Sequence, residues 1–314
     1  MNESNVPETQ IEAIRFFADH SNCHNFLVSM RWPDGKVTCP HCQSDKVGIF
    51  SGKRLVSNCK NCKKQFTVKV GTIFEDSPLG LDKWIPAVWL IVNAKNGISS
   101  CEMARTLGVT QKTAWHMGHR IRKAVHAGNF TGKLSGVVEV DETFIGGAAR
   151  FMHKARRRAL GIKTGPCHLT PVQGLLERHA VGKSKIILKV MKNRKRAEAQ
   201  KHVKEYVLKG TDVYTDKLAS YQGLESEYTH KVIDHAEKYV DGAVHTNGLE
   251  NFWSLFKRGV KGTYVHVAPF HLHRYLDEQA YRFNERSGND SDRFLKAMRK
   301  TPKIKLTYRK LTGK

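Results

Sequence analysis

The sequence has few acidic residues and no long hydrophobic segment. Its 314 residues include 29 Asp and Glu against 53 Lys and Arg, which gives a formal net charge of +24 at pH 7. The longest largely apolar run, residues 84–94, is too short to span a bilayer. The polar and acidic start, residues 1–10, is unlike a secretory leader. We therefore expect an intracellular protein without a membrane partner, whose excess positive charge suits nucleic acid.

Cysteine is also scarce, but its spacing is informative. Four of the seven cysteines form two CxxC pairs, Cys39 with Cys42 and Cys59 with Cys62, and sixteen residues separate the pairs. Inside cells, paired cysteines bind metal more often than they form disulfides. Two such pairs can direct four thiolates at one tetrahedral ion, so the spacing predicts one structural Zn²⁺ in a zinc ribbon over residues 35–70.

Short strands are predicted inside this ribbon at residues 46–50 and 54–58, on either side of Ser51-Gly52. A redox dithiol is the competing interpretation, but two pairs without a neighbouring βαβ pattern favour zinc. The remaining cysteines, Cys23, Cys101 and Cys167, are predicted to be packed thiols.

Residues 98–117 have the pattern of two short helices joined by a turn. Ser99 or Ser100 can cap the first helix, Gly108 permits the turn, and Thr110 can cap the second helix. This pattern predicts a helix-turn-helix within residues 71–130, after a helical segment at residues 1–34. A helical hairpin that binds nothing is the alternative. The predicted DNA contacts are polar residues of the second helix and its basic continuation: Gln111, Lys112, His116, Arg120 and Arg122.

After Gly136 the sequence changes to short apolar strands separated by helices. Strands are predicted at Val137–Val140, Pro171–Leu176, Ser184–Met191 and Asp212–Thr215, with a hairpin around Gly182. This order predicts a mixed α/β sheet. Residues 150–163 form a loop rich in Arg and Lys, which is either a solvated face or a phosphate-binding segment. Residues 289–314 form a polar, basic C-terminal tail for which no firm structure is predicted.

Three carboxylates lie at the edges of these apolar elements. Asp141 follows the first strand, Asp216 follows the last predicted strand, and Glu250 lies beside the apolar stripe of a predicted helix. Lys257 follows Glu250 by two helical turns, roughly 10 Å. In a strongly cationic chain, three such acids predict a magnesium site for phosphoryl transfer, with two cations about 4 Å apart.

Each acid also has a local interpretation. Asp141 could belong to a turn before Gly146-Gly147, Asp216 could cap a helix beginning at Lys217, and Asn247 with Glu250 has the form of a capping box. Two further acids flank Asp141. Glu139 shares its face of the strand and is a candidate neighbour of the metal site, whereas Glu142 points elsewhere.

The motifs VEVDETFIGG, VYTDKLASYQGL and HTNGLENFWSLFKRGVKGTYVHV, with HLHRYLDEQAYRFNER after them, resemble those of bacterial insertion-sequence DDE transposases with an N-terminal zinc ribbon. The nearest group is the one related to Merlin-type DNA transposons, and the resemblance covers about residues 17–286. It implies a ribonuclease H-like, retroviral-integrase-like α/β core over residues 131–288. The resemblance matches Asp141, Asp216 and Glu250 to the three catalytic metal ligands and Lys257 to the lysine beyond the third acid. Asn247 is the alternative ligand at the third position.

The resemblance also implies an activity. Such a protein binds the terminal inverted repeats of its own element, cleaves the ends, and joins the 3′-hydroxyls to target DNA with two Mg²⁺ or Mn²⁺ ions. Lys257 and Arg258 would contact this DNA, and pairing of two ends implies a homodimer or larger assembly in the bacterial cytoplasm, near the nucleoid. The alternatives are a non-catalytic DNA-binding regulator derived from a transposase and a metal-dependent nuclease without strand transfer.

Overall fold

The computed structural model describes residues 6–126, 132–147, 149, 152–159, 161–162, 168–179, 183–216, 219–233 and 245–313. The chain divides into two compact units, residues 1–125 with 288–314 and residues 126–287. Every helix in the described ranges is too short or too polar to cross a lipid bilayer.

The first unit is mainly helical. Its helices are α1 (Gln10–Ala18), α2 (His20–Arg31), α3 (Leu81–Asn93), α4 (Ser100–Leu107), α5 (Gln111–Ala124), α10 (Asp290–Arg299) and α11 (Tyr308–Thr312). Two short antiparallel strands, β1 (Val56–Asn58) and β2 (Gln65–Thr67), lie between α2 and α3. The predicted strand at 46–50 is reduced to one isolated bridge, Val47 to Cys59; a second bridge, Ser51 to Val56, lies just after it, and β2 was not predicted.

An aromatic cluster explains why the C-terminal segment belongs to this unit. Phe294 of α10 is fully buried and stacks on Phe26, with ring centroids 5.5 Å apart, and it also packs against Phe17 and Trp89. Asn289 caps α10 in a complete capping box. The expectation that residues 289–314 lack firm structure is therefore wrong for α10 and α11, because Phe294 and Met298 of α10 and Leu311 of α11 are fully buried.

The second unit contains a mixed five-stranded sheet. Its strands are β3 (Val137–Ile145), β4 (Thr170–Arg178), β5 (Lys185–Val190), β6 (Asp212–Asp216) and β7 (Thr229–Ile233). The order across the sheet is β5-β4-β3-β6-β7; β3, β4 and β5 are antiparallel, and β6 and β7 run parallel to β3. The prediction of a mixed α/β sheet is confirmed, although β7 was not predicted.

Helices cover both faces of this sheet. Helix α7 (Arg196–Tyr206) lies on one face, and α8 (Asn247–Gly259) and α9 (Leu272–Asn284) lie on the other; the short helix α6 (Lys154–Ala159) follows β3 in the sequence. Val138 and Val140 point to a core that includes Val203 of α7, whereas Val172 and Leu176 point to a core shared with α8 and α9. Alternation along β3 therefore places Glu139 and Asp141 on the α8 face.

Strand β3 is longer than predicted. It pairs with β4 along its whole length, from Val137 opposite Arg178 to Ile145 opposite Thr170, so Asp141 lies inside a strand and not in a turn. The strand ends before Gly146, whose φ of +154° few other residues adopt. Pairing with the parallel neighbour β6 ends one residue earlier than Asp141, at Val140 opposite Thr215. Asp141 therefore lies where β3 and β6 diverge.

Several predictions concern residues that the structure describes only in part. Gly182, Cys167 and Lys217 lie outside the described residues, and so do residues 150, 151, 160 and 163 of the basic loop 150–163, of which residues 154–159 form α6. Of the thiols predicted to be packed, Cys23 is buried and donates to the carbonyl of Phe17, but Cys101 is exposed on α4, which corrects that prediction.

Candidate metal sites and catalytic residues

The four cysteines of the CxxC pairs converge. Their sulfur atoms all lie within 4.8 Å of one another, and within the described ranges no other group of three or more His, Cys, Asp or Glu side chains is this compact. The sulfurs of Cys39 and Cys62 are 3.7 Å apart, and those of Cys42 and Cys59 are 3.6 Å apart. Tetrahedral zinc with Zn–S bonds of about 2.3 Å requires sulfurs about 3.8 Å apart, so the cluster fits this ion.

The two CxxC pairs have the same local conformation. In each pair the residue after the second cysteine, Gln43 or Lys63, has a φ near +60° and donates its N–H to the carbonyl of the first cysteine. The backbone N–H groups of His41 and Cys62 each lie 3.4 Å from the sulfur of their pair's first cysteine. These turns direct both sulfurs of a pair to one side, and the N–H groups stabilise thiolate charge.

The three predicted acids lie on separate elements of the second unit. Asp141 is in the middle of β3, Asp216 is the last residue of β6, and Glu250 is in the first turn of α8. They are close enough that both Asp216 and Glu250 raise the pKa of Asp141. They are less compact than the four thiols.

Asp141 and Asp216 are half-buried, whereas Glu250 is exposed. Burial, followed by the charges of Asp216 and Glu250, raises the pKa of the Asp141 carboxyl to about 6, although hydrogen bonds oppose this change. Its Oδ1 accepts the N–H of Glu142 at 2.7 Å, and its Oδ2 accepts the indole Nε1–H of Trp253 at 3.0 Å. Both oxygens are thereby oriented, and a nearby cation would favour the ionised form.

Helix α8 carries the third acid. Leu249, Phe252, Trp253 and Phe256 are buried as the predicted apolar stripe, while Glu250 is exposed at its edge. Asn247 is also exposed, one turn before Glu250 on nearly the same side. The capping-box interpretation is wrong, because the helix begins after Thr246 and no side chain within the described residues caps it. Lys257 lies two turns after Glu250 and is half-buried, and Arg258 beside it is exposed.

Glycine lets α8 approach the sheet closely. Gly174 of β4 pairs directly with Asp141, and a Cβ at Gly174 would lie 2.7 Å from the Trp253 ring and 2.8 Å from Leu249. The indole therefore lies against bare backbone, which brings its N–H within reach of Asp141. The sequence identified Trp253 as a core residue but not as a hydrogen-bond donor to the acid, since that contact joins residues 112 positions apart.

Glu142 and Glu139 have protein partners of their own. Glu142 points to the α7 face and accepts the hydroxyl of Tyr221 at 3.0 Å, and that hydroxyl accepts Nε2 of Gln173. Burial raises the pKa of Glu142. Glu139 is 1% exposed, forms an ion pair with Arg178, and accepts the backbone N–H of Leu249. Glu139 thus lies on the same face of β3 as Asp141, as expected, but its carboxylate oxygens are hydrogen-bonded to Arg178 and to the Leu249 N–H.

The two predicted helices of the DNA-binding region are present as α4 and α5. Ser99 caps α4, Gly108 ends it in the left-handed conformation, and Thr110 caps α5. Gln111 and Lys112 are exposed at the start of α5. Their assignment to a helix-turn-helix that binds DNA remains a prediction.

The predicted DNA-contact residues of α5 differ in their exposure to solvent. Arg120 and Arg122 are each 4% exposed, so they are unsuited to the DNA contact predicted for them. Arg120 donates to the carbonyl of Glu75 and lies over the Trp84 ring, which shows that it is a core residue of this unit. His116 is half-buried and packs against Tyr308 of α11, whose ring also lies 5.1 Å from Lys112 Nζ. The exposed surface at this end of α5 therefore includes Tyr308, which the sequence did not indicate.

Comparison with known proteins gives two family matches. Residues 133–284 match an ISXO2-like transposase domain, and residues 18–65 match a transposase zinc-ribbon domain. A protein of the transposable element ISH50 from Halobacterium salinarum is 27% identical over 266 residues, covering 78% of this chain and 84% of that relative. A transposase-like protein from Haemophilus influenzae is 32% identical over 103 residues, covering 32% of this chain and 83% of that relative. No solved structure is significantly similar to this chain.

The matched segments contain both candidate sites. The zinc-ribbon match includes all four clustered cysteines, and together they support one structural Zn²⁺. The transposase-domain match includes Asp141, Asp216 and Glu250.

Proposed function

Because the chain belongs to the insertion-sequence transposases that join a transposase zinc ribbon to an ISXO2-like transposase domain, we propose that it is a DDE-type DNA transposase. It binds the terminal inverted repeats of its element, cleaves the ends, and transfers the 3′-hydroxyls to target DNA. The observation that carries the proposal is the arrangement around Asp141, where a half-buried carboxylate with a pKa raised to about 6 lies near two further acids.

The donor set suits Mg²⁺ or Mn²⁺. Asp141, Asp216 and Glu250 offer hard carboxylate oxygens, which these cations prefer. Burial and then the charges of Asp216 and Glu250 raise the Asp141 pKa, and a bound cation would favour the ionised form. Asp141, Asp216 and Glu250 would together hold the ions. When bound, the ions supply charge stabilisation and an activated water or 3′-hydroxyl for in-line displacement.

The sheet order supports the proposed ribonuclease H-like core. Three antiparallel strands are followed by two that run parallel to the first, with Asp141 on the first strand, Asp216 at the end of the fourth, and Glu250 on a later helix. In this arrangement the protein's own residues orient the acids. Trp253 and the Glu142 N–H fix the Asp141 oxygens, and the apolar stripe of α8 fixes the direction of Glu250.

We assign the DNA contacts to exposed and half-buried polar residues at the start of α5 and along α8. Gln111 and Lys112, with half-buried His116 beside them, suit the helix-turn-helix role, and Lys257 and Arg258 suit phosphates next to the acids. The net charge of +24 supports a polyanionic partner. Joining two element ends requires both in one complex, so a homodimer or larger assembly is part of the proposal.

The test incubates the full-length protein with labelled element ends and a target plasmid in Mg²⁺ or Mn²⁺. We expect the wild type to cleave and join the ends, and Asp141→Ala, Asp216→Ala and Glu250→Ala each to lose about 10³-fold or more of that rate, as removal of a metal ligand implies. Asn247→Ala should remain active. Joining by all three acid variants at the wild-type rate would refute the catalytic assignment.

The same assay separates the alternatives. Binding of the ends without cleavage in either metal would identify a regulator, and cleavage without joining would identify a nuclease. An inactive Asn247→Ala together with an active Glu250→Ala would reverse the assignment of the third acid.

A further inference from the structure

Glu139 is a buried carboxylate that the proposed chemistry does not use. It is 1% exposed and lies two residues before Asp141 on the same face of β3. Its Oε2 accepts the backbone N–H of Leu249 at 2.8 Å, and its Oε1 accepts Nε of Arg178. Burying a carboxylate is costly unless it is paired and hydrogen-bonded, so these two contacts account for its position. One of these partners, Leu249, directly precedes Glu250.

Gly248 leaves room for this carboxylate because it has no side chain. A Cβ at Gly248 would lie 2.9 Å from both carboxylate oxygens of Glu139, closer than ordinary packing allows. Gly248 is not among the described residues with positive φ, so its backbone does not require glycine. A glycine inside a helix is about 1 kcal/mol less favourable than alanine. Access of the Glu139 carboxylate to the first turn of α8 therefore explains the glycine.

Arg178 extends the same connection to the chain that enters α8. It pairs with Glu139 and donates to the carbonyl and to Nδ1 of His245, two residues before the helix begins. The first turn of α8 is thereby tied to β3 and β4 on the side of Glu139, while Trp253 fixes the next turn through Asp141.

We propose that Glu139 is a positioning residue for the third acid, and that it sets the divalent-cation affinity of the acidic site by fixing the first turn of α8 on β3. Leu249 N–H is the contact through which it acts, and Glu250 is the next residue. Displacing the Glu139 carboxylate would let this turn move and change the separation of Glu250 from Asp141. The inference rests on the proposed function, because it takes Glu250 as a cation ligand.

The first test compares Gly248→Ala with Gly262→Ala in the full-length, zinc-loaded protein. A Cβ at Gly262, in the π-helical segment after α8, would meet nothing within 4 Å, so this variant is a matched control. Mn²⁺ binding is followed by electron paramagnetic resonance; Mn²⁺ binds such sites more weakly than zinc and should leave the thiolate site loaded. We expect Gly248→Ala to weaken Mn²⁺ binding roughly tenfold or more, in the range typical for partners that orient metal ligands. Gly262→Ala should bind Mn²⁺ like the wild type.

This substitution distinguishes the inference from a purely structural effect. Helix propensity alone predicts that Gly248→Ala stabilises α8 and leaves cation binding intact. Unchanged Mn²⁺ affinity in Gly248→Ala would therefore overturn the inference, even if the protein became more stable.

A double-mutant cycle tests whether the effect of Glu139 on Mn²⁺ binding depends on Glu250. A general loss of stability would not produce such a dependence. Glu139→Gln keeps an oxygen acceptor for Leu249 N–H but loses the charge that pairs with Arg178. If Glu139 acts through Glu250, then Glu139→Gln weakens Mn²⁺ binding in the wild-type background and has little further effect in Glu250→Gln. Additive losses in the double variant would contradict the inference, since Glu139 would then act independently.

The outcomes also separate this inference from the proposed function. If Glu250→Gln itself binds Mn²⁺ like the wild type, the proposed cation site fails. If Glu250→Gln weakens binding and Gly248→Ala does not, the positioning role of Glu139 fails alone. Circular dichroism checks the fold of each variant, and if Glu139→Gln does not fold, the Gly248→Ala result decides.

Discussion

The four-thiol cluster and the proposed three-carboxylate site are of opposite construction. The thiols lie within 24 consecutive residues, 39–62, on two turns of the same local conformation. The acids extend over residues 141–250 and are held by a five-stranded sheet and a helix packed on it. In the ribbon, zinc supplies much of the folding free energy, because two three-residue strands cannot form a sufficient core. In the second unit, the fold supplies the site and bears the repulsion between the acids.

The largest expected effect is the loss of the ribbon without zinc. Cys42→Ser removes one thiolate, and since structural zinc contributes on the order of 10 kcal/mol, residues 35–70 should lose their structure while the sheet of the second unit persists. Hydrogen exchange of the two segments, with zinc content measured in parallel, checks this. Cys101→Ser, at an exposed cysteine outside the cluster, is the control and should change neither quantity. If Cys42→Ser retained its zinc, the claim that the ribbon depends on a four-thiolate zinc site would be wrong.

A second prediction concerns pH, to which the acidic site should respond near neutrality. Burial and the neighbouring acids raise the pKa of Asp141 from 3.8 to about 6, so protons compete with the cation below about pH 6. The apparent Mg²⁺ affinity should fall about tenfold for each pH unit below 6 and level off above 7. In the metal-free protein the same raised pKa makes the Asp141 contribution to stability decrease as pH rises from about 3.8 to 6. The Mg²⁺ concentration for half-maximal cleavage, measured between pH 5 and 8, checks the affinity. A constant value would show that Asp141 does not bind the ion.

The smallest expected effect comes from Trp253→Phe. The change keeps an aromatic ring on Gly174 but removes the N–H that Asp141 accepts, and hydrogen bonds to charged groups contribute about 1.5–3 kcal/mol. We expect roughly a tenfold lower cleavage rate and a pH midpoint shifted upward, because this hydrogen bond lowers the Asp141 pKa. Trp89→Phe is the control, since the Trp89 N–H has no hydrogen-bond partner among the described residues. An unshifted pH midpoint in Trp253→Phe would show that the Trp253 N–H does not influence the ionisation of Asp141.

The same contrast explains what could be predicted from the sequence. The zinc cluster follows from cysteine spacing alone, and the strands and helix that carry the acids follow from periodicity. The contacts of Trp253 with Asp141 and of Glu139 with Leu249 join residues more than 100 positions apart, so no local pattern indicates them. Arg120 was predicted wrongly for the same reason. Its basic neighbours in the sequence indicate a DNA contact, but the side chain is buried, where the Glu75 carbonyl and the Trp84 ring stabilise its charge.

The most direct measurement locates the cations in a crystal of the full-length protein bound to an element end and soaked in Mn²⁺. Anomalous scattering at the zinc edge should give one peak at the four cysteines, which serves as an internal reference. The proposed function predicts manganese peaks in contact with Asp141, Asp216 and Glu250, about 4 Å apart if two ions bind. Manganese elsewhere in the crystal, with no peak at these three carboxylates, would contradict the assignment of the acids as the catalytic metal site.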